Sequence, residues 1–214
     1  MTIVVVTGTG TGVGKTWVTA QLADALRRHS ITVAARKPVQ SFEPDDGNPT
    51  DAEVLGAATG EAPHTVCPAH RWLPRAMAPP MAAEVLETAP FTIAELAAEV
   101  RSDMPGDAIV LVESAGGVRS PLASDGDTVA LATSLQPSRV ILVADAELGT
   151  INLVRMSTHA LEGQHVTVYL NRFDPDNELH DRNHDWLVTR EGLEVVTNPE
   201  ALEHLVQMLA FTSD

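Results

Sequence analysis

Two kinds of apolar pattern alternate along this chain. One is a short, near-continuous run of aliphatic and β-branched residues, seen over positions 3–6, 108–112, 140–144 and 166–170. Such runs suit strands buried on both faces. The other spaces apolar residues three and four apart: Val18, Leu22, Ala25 and Leu26, then Ile93, Leu96, Ala97 and Val100, then Leu202, Leu205, Val206 and Leu209. That spacing lines one face of a helix. Residues 31–37 predict a further strand, stopped by Pro38, and residues 128–135 a short helix. Thr50 is placed to cap a helix opening at Asp51, and Gly149, Thr150, Ile151 and Asn152 lead into another. Val195 and Val196 predict one more short strand, and the proline-rich stretch 60–90 predicts short helices and loops.

Strands that alternate with helices throughout predict an α/β fold, with a mostly parallel sheet and helices on both faces. No repeat or linker divides the sequence, so residues 1–214 are expected to form one domain. Ligands of such sheets sit beyond the carboxyl ends of the strands. Residues 8–16, 37–41, 113–117, 149–152 and 171 all fall at predicted strand ends, and they carry the chain's reactive side chains.

The first of these stretches is Gly8-Thr9-Gly10-Thr11-Gly12-Val13-Gly14-Lys15-Thr16. A strand precedes it and a helix follows. Glycines let backbone N–H groups wrap phosphate oxygens in front of a helix N-terminus. Lys15 is placed to reach the β and γ phosphates, and the Thr16 hydroxyl to ligate Mg²⁺. The leading glycine stands one residue earlier than in the common phosphate-loop spacing. The loop therefore predicts a three-layer phosphate-loop (P-loop) nucleotide-binding fold with a bound nucleoside triphosphate. Asp51 reads either as a first-turn carboxylate that suits the helix dipole or as a metal ligand. Glu113 reads either as a turn residue or as a second acidic ligand at an interior strand end.

Composition narrows the partners. The formal net charge is −15, which disfavours nucleic acid and anionic membrane surfaces. Cys67 is the single cysteine, so no intrachain disulfide exists, and nothing pairs it with an activating base. The N-terminus lacks a basic segment before its apolar run, and no run approaches the roughly 20 residues of a membrane helix. The chain reads as cytoplasmic. His180 and His184, interleaved with Asp181 and Asp185, read as a solvated helix face rather than a transition-metal site. Trp17, Trp72 and Trp186 read as packing residues, with Trp17 also bordering the nucleotide.

Lys37-Pro38-Val39-Gln40-Ser41 follows the second strand. With the extended loop, Asp51, Glu113-Ser114-Ala115-Gly116-Gly117 and Leu148-Gly149-Thr150-Ile151-Asn152, it resembles the dethiobiotin synthetases of biotin formation. The resemblance covers the chain to about Asn171. It implies a cyclo-ligase that converts 7,8-diaminononanoate, CO₂ and ATP into dethiobiotin, ADP and phosphate through a carbamate and a carbamic-phosphoric anhydride. It further implies that Lys37, Lys15 and Thr11 act at the transferring phosphoryl group. Ser41, Gly149, Thr150 and Asn152 would bind substrate, and Thr16, Asp51 and Glu113 would hold Mg²⁺. Gly12, Val13, Gly14, Lys15, Thr16, Trp17, Asp51, Glu113, Gly116 and Asn171 would surround the nucleotide. The helix start at Gly149 would complete the site of a second copy in a homodimer.

Three positions depart from the family pattern. Gly12 stands where many members have an acidic residue, and Phe42 and Ser114 stand where glycines are usual. Residues 195–198 replace the family's base-closing segment, and Asn171-Arg172-Phe173-Asp174 resembles the Asn-Lys-x-Asp element of GTPases; a purine-tolerant pocket is expected. Two other readings remain open: a paralogue of altered activity, and a partitioning-type ATPase switch. The latter usually carries an extra early loop lysine, where positions 9–11 here are Thr9, Gly10 and Thr11.

Overall fold

The structure is a computed structural model that describes residues 2–45, 47–102, 104–106 and 108–211. Leu205 and Leu209, assigned above to the closing helix face, have side chains outside the described set. In chain order the elements are β1 (Thr2–Gly8), α1 (Lys15–Arg28), β2 (Val33–Arg36), β3 (Gln40–Ser41), α2 (Asp51–Thr59), α3 (Pro63–Val66), β4 (Trp72–Leu73) and α4 (Pro79–Val85). Then come α5 (Ile93–Ser102), β5 (Ile109–Glu113), β6 (Pro121–Ala123), β7 (Gly126–Asp127), α6 (Thr128–Leu135), β8 (Arg139–Asp145), α7 (Thr150–Ala160), β9 (Val166–Asn171), α8 (Glu178–Thr189), β10 (Glu194–Val196) and α9 (Pro199–Phe211).

The main sheet has six strands in the order β10-β9-β8-β1-β5-β2, and every pairing is parallel. The expected α/β architecture is present. Side chains alternate along each strand, so each interior strand feeds two cores. Ile3, Val5, Val110, Val112, Val140 and Leu142 pack with Leu96, Leu131 and Val154 on one face. Val4, Val6, Ile109, Leu111, Ile141 and Val143 pack with Leu22, Leu55 and Val206 on the other. Burial of an aliphatic side chain contributes about 1.5–3 kcal/mol, so these two layers hold the strand ends at fixed relative positions.

β1 lies between β5 and β8. The chain leaves β1 for α1 on one face, whereas β5 and β8 lead to α6 and α7 on the other. That reversal opens a crevice above the carboxyl ends of β1 and β5, the place where α/β sheets bind ligands. β2 is shorter than the 31–37 expected, because its register with β5 ends at Arg36 against Val112. The next amide, Lys37 N–H, donates instead to Val66 O at 2.8 Å. Residues 40–41 then pair with residues 72–73 as a separate two-strand parallel sheet, a feature the loop-rich pattern did not reveal. Among the described residues no helix is long and apolar enough to cross a membrane.

Candidate active site

The phosphate loop joins β1 to α1. Gly14 caps α1 with φ 94°, and the position a Cβ would take there runs into the Asn171 amide. Glycine is therefore required at 14 on two counts, the left-handed backbone and the close approach. Lys15 opens the helix, and its ammonium folds back to donate to Gly10 O at 3.0 Å.

Thr50 starts α2 with a capping box: its hydroxyl accepts from Glu53 N–H, and its own N–H donates to the Glu53 carboxylate at 2.7 Å. This cap, which the sequence predicted, fixes Asp51 as the first helical residue and turns it toward the loop. Glu113 arrives from the end of β5 and is fully buried. The Thr16 hydroxyl lies 2.7 Å from Asp51 Oδ1 and 3.0 Å from Glu113 Oε1.

Lys37 sits just past the end of β2 and is 2% exposed. Its ammonium donates to Asp51 Oδ2 at 2.6 Å, to Glu113 Oε1 at 2.7 Å and to Ser114 O at 3.4 Å. Burial works against its charge, but the two carboxylates outweigh burial and hold its pKa above the ordinary lysine value. Acting in return mainly through its charge, Lys37 holds the Asp51 carboxyl at about 2, below the ordinary 3.8. Burial, and then the Lys37 charge, push the Lys15 amine below its usual value. Four ionisable side chains and one hydroxyl, from the loop, the end of β2, α2 and β5, thus gather at one site.

A cleft of about 510 Å³ opens over this point. Thr11, Gly12, Gly14, Lys15 and Thr16 form one wall, and Lys37, Ser41 and Asp51 the floor. Ala115, Gly116 and Ser120 border it from the end of β5, and residues 76–79 face the loop across it. The last two contributions were not foreseen: residues 76–79 lie in a stretch without periodicity, and Ser120 shows its place only through its acceptance of the Gly117 N–H at 2.9 Å.

Other predicted positions fall elsewhere. Gly149, Thr150 and Asn152 do not line this cleft; Asn152 borders a separate groove with Arg155, Met156 and His159. Gly149 caps α7 with φ 100°, and Thr150 is buried. Val13 is buried in the core with its carbonyl accepting from Asn171 Nδ2 at 2.9 Å. Trp17 is 49% exposed and is not packed, contrary to the first expectation for it. Trp186 is likewise half exposed, with the Arg190 guanidinium 5.9 Å from its ring.

Two of the three departures turn away from the cleft. The Ser114 hydroxyl donates to Thr7 Oγ1 at 3.0 Å inside the protein, and the Phe42 ring meets Trp72 edge-on at 5.8 Å. Only Gly12 lines the cleft. His180 also corrects an expectation. It is buried at 4% exposure, not solvated, because its Nδ1 accepts from Asp174 N–H at 3.0 Å and its ring lies against Phe173.

Comparison with known proteins fits this geometry. Among solved structures, chloroplast FtsY from Physcomitrella patens superposes with a TM-score of 0.56 at 18% identity, covering 91% of this chain and 56% of that one. Cobyrinic acid a,c-diamide synthase from Mycobacterium smegmatis, solved with a bound ATP analog and magnesium, gives 0.53 at 14% identity over 93% and 86%. These likenesses establish the three-layer fold. A protein-family model described as an AAA domain matches residues 2–208. The ATP-dependent dethiobiotin synthetase BioD of Haloferax mediterranei is 37% identical over 91% of this chain and 82% of its own length. That of Mycobacterium tuberculosis strain H37Ra is 40% identical over 78% and 72%. The chain belongs to the ATP-dependent dethiobiotin synthetase family, a family of cyclo-ligases.

Proposed function

We propose that this chain closes the ureido ring of dethiobiotin from 7,8-diaminononanoate and CO₂ with conversion of ATP to ADP and phosphate. The observation that carries the reading is Lys37: a buried amine, paired with two carboxylates, that lines a cleft together with the phosphate loop. A second cation there suits a ligase that must hold an anionic carbamate beside the γ-phosphate.

One substrate amine adds to CO₂ and loses a proton, giving the carbamate. A carbamate oxygen attacks the γ-phosphorus and ADP leaves. The second amine then attacks the carbonyl carbon of the mixed anhydride, and phosphate departs as the ring closes. Lys37 neutralises the carbamate as it approaches another anion, and Thr11 and Ser41, which also line the cleft, orient it by hydrogen bonding. Lys15 meets the β and γ phosphates, with the N–H groups of Gly12, Val13 and Gly14 around them. Gly116, at the cleft border, and Asn171, beside the loop, flank the nucleotide, with Trp17 at the start of α1. With its Nδ2 given to Val13 O, Asn171 offers a base its acceptor Oδ1, which suits an exocyclic amine such as that of adenine.

The residues present fit Mg²⁺. Thr16, Asp51 and Glu113 supply only hard oxygen donors, and Glu113 Oε2 is buried without a hydrogen-bond partner. Those three residues would hold the ion, which when bound spreads phosphate charge.

Gly149, Thr150 and Asn152 serve a second copy of the chain in this reading. The α7 start lies outside the cleft, and Leu148, Leu153 and Met156 around it are exposed at 86%, 46% and 66%. A face of that kind suits burial in a homodimer, with the helix N-terminus receiving the substrate carboxylate. Sedimentation at twice the monomer mass is expected.

The functional test is phosphate release with ATP, Mg²⁺, bicarbonate and the diamine, for the native chain and Lys37→Ala. Release that depends on the diamine, and that falls at least about a hundredfold in the variant, is expected. Release indifferent to the diamine would sink the synthetase reading.

A further inference from the structure

Two consecutive residues at the end of β9 grip two consecutive carbonyls of the phosphate loop. Asn171 Nδ2 donates to Val13 O at 2.9 Å, and Arg172 Nη2 donates to Gly12 O at 3.1 Å. The same guanidinium donates through Nη1 to Asp145 Oδ1 at 2.5 Å, which ties it to the end of β8. Arg172 adopts φ 56°, a left-handed backbone that non-glycine residues rarely take and that recurs at functional sites. Its side chain is 61% exposed, so it is not held there by packing.

The grip has a consequence for the amides. In a trans peptide the carbonyl and the following N–H point in opposite directions. A Gly12 carbonyl drawn toward Arg172 turns the Val13 N–H to the opposite side. A Val13 carbonyl drawn toward Asn171 does the same for the Gly14 N–H. For a loop that binds phosphate, that opposite side is its inside, toward the cleft that Gly12, Gly14 and Lys15 line. Gly12 needs such an external hold. It has φ 79°, and no atom lies within 4 Å of the position a Cβ would take, so neither a side chain nor packing restrains it.

We propose that Arg172 is a positioning residue of the phosphate loop, holding the Gly12 carbonyl outward so that the Val13 amide is set toward a bound phosphate before it arrives. Asp145 aims the guanidinium. The inference rests on the reading of the loop as a triphosphate site, and it assigns Arg172 to the loop rather than to the base or the phosphates themselves.

Calorimetric titration of Arg172→Ala, Arg172→Lys and the native chain with two probes, ADP and inorganic tripolyphosphate, tests it. Loss of one charge-assisted hydrogen bond that presets the loop predicts roughly tenfold weaker binding in Arg172→Ala. The factor is the same for both probes, because tripolyphosphate has no base. Arg172→Lys recovers part of the loss, since an ammonium can reach one acceptor but cannot bridge two. Nucleotide-free melting temperature stays within about 2 °C of native, because exposed ion pairs contribute little to stability. A loss confined to ADP would place Arg172 at the base and overturn the proposal. Unchanged affinity, or a melting temperature that falls in step with affinity, would overturn it too. A native chain that binds neither probe would instead defeat the reading of the loop on which the proposal stands.

Discussion

Replacing Lys37 by Met removes a charge while keeping most of the stem that fills the site. The structure sets the magnitude. Lys37 and Glu113 are 2% and 0% exposed in their side chains, and Asp51 is 41% exposed. Removing one partner of a fully buried ion pair costs about 3–5 kcal/mol. Water can reach Asp51 and screen part of that loss, so about 2–3 kcal/mol is expected here. For a chain of this length that is a fall in melting temperature of about 5–10 °C. The sign with pH follows from Asp51. Its folded pKa, about 2, lies below the ordinary 3.8. The native chain therefore holds this stabilisation above pH 3.8 and loses it as pH falls through about 2. Lys37→Met lacks that contribution at every pH. Thermal melts of both proteins with EDTA and no nucleotide, from pH 7 to about pH 2.5, should show a gap that is widest at neutral pH and narrows in acid. A gap under about 1 kcal/mol at pH 7, or one that ignores pH, would refute the coupling of Lys37 to the two carboxylates.

Other consequences are accessible to simple assays. Gly14→Ala drives a side chain into the Asn171 amide from a left-handed backbone, so titration with ADP should show affinity lowered by at least about tenfold; native affinity would contradict the loop geometry. Burial pushes the Cys67 thiol up to about 12, so a thiol reagent at pH 8 should label it only at the rate of unfolding, and fast labelling of the folded chain would contradict that. Ser114→Gly removes a hydroxyl bonded to Thr7, so it should lower stability by about 1 kcal/mol in a denaturant titration while leaving turnover unchanged. A rise in turnover would show instead that Ser114 obstructs the substrate.

The sheet was legible because its interior strands are buried on both faces, and a strand buried that way must be a continuous apolar run, as at Val4, Val5 and Val6. The phosphate loop was legible because its chemistry is local: glycines, a lysine and a threonine at fixed spacing between a strand and a helix. The cap at Thr50 was legible for the same reason, though not its reciprocal bond to Glu53. What stayed hidden depends on contacts between distant segments. Nothing near Lys37 in the sequence shows that Asp51 and Glu113 meet on its ammonium. The pairing of residues 40–41 with 72–73 joins segments about thirty positions apart, and two-residue strands carry no period to detect. His180 looked solvated because a helix flanked by charges hides its buried polar residues, His180 and Asn183, among them, and the partner of His180, the Asp174 amide, is set by the turn after β9. Arg172 was visible as a residue but not as a ligand of the loop, since a side chain that bonds main-chain carbonyls selects no particular residue at the other end.

In the proposed reaction, one carbon from CO₂ joins two amines of one substrate beside Lys37. Incubation of the chain with ATP, Mg²⁺, the diamine and ¹³C-bicarbonate, followed by mass spectrometry, reads that carbon directly. Dethiobiotin one mass unit heavier than from unlabelled bicarbonate is expected, formed in step with phosphate and absent with Lys37→Ala. Phosphate released without any labelled cyclic urea would contradict it.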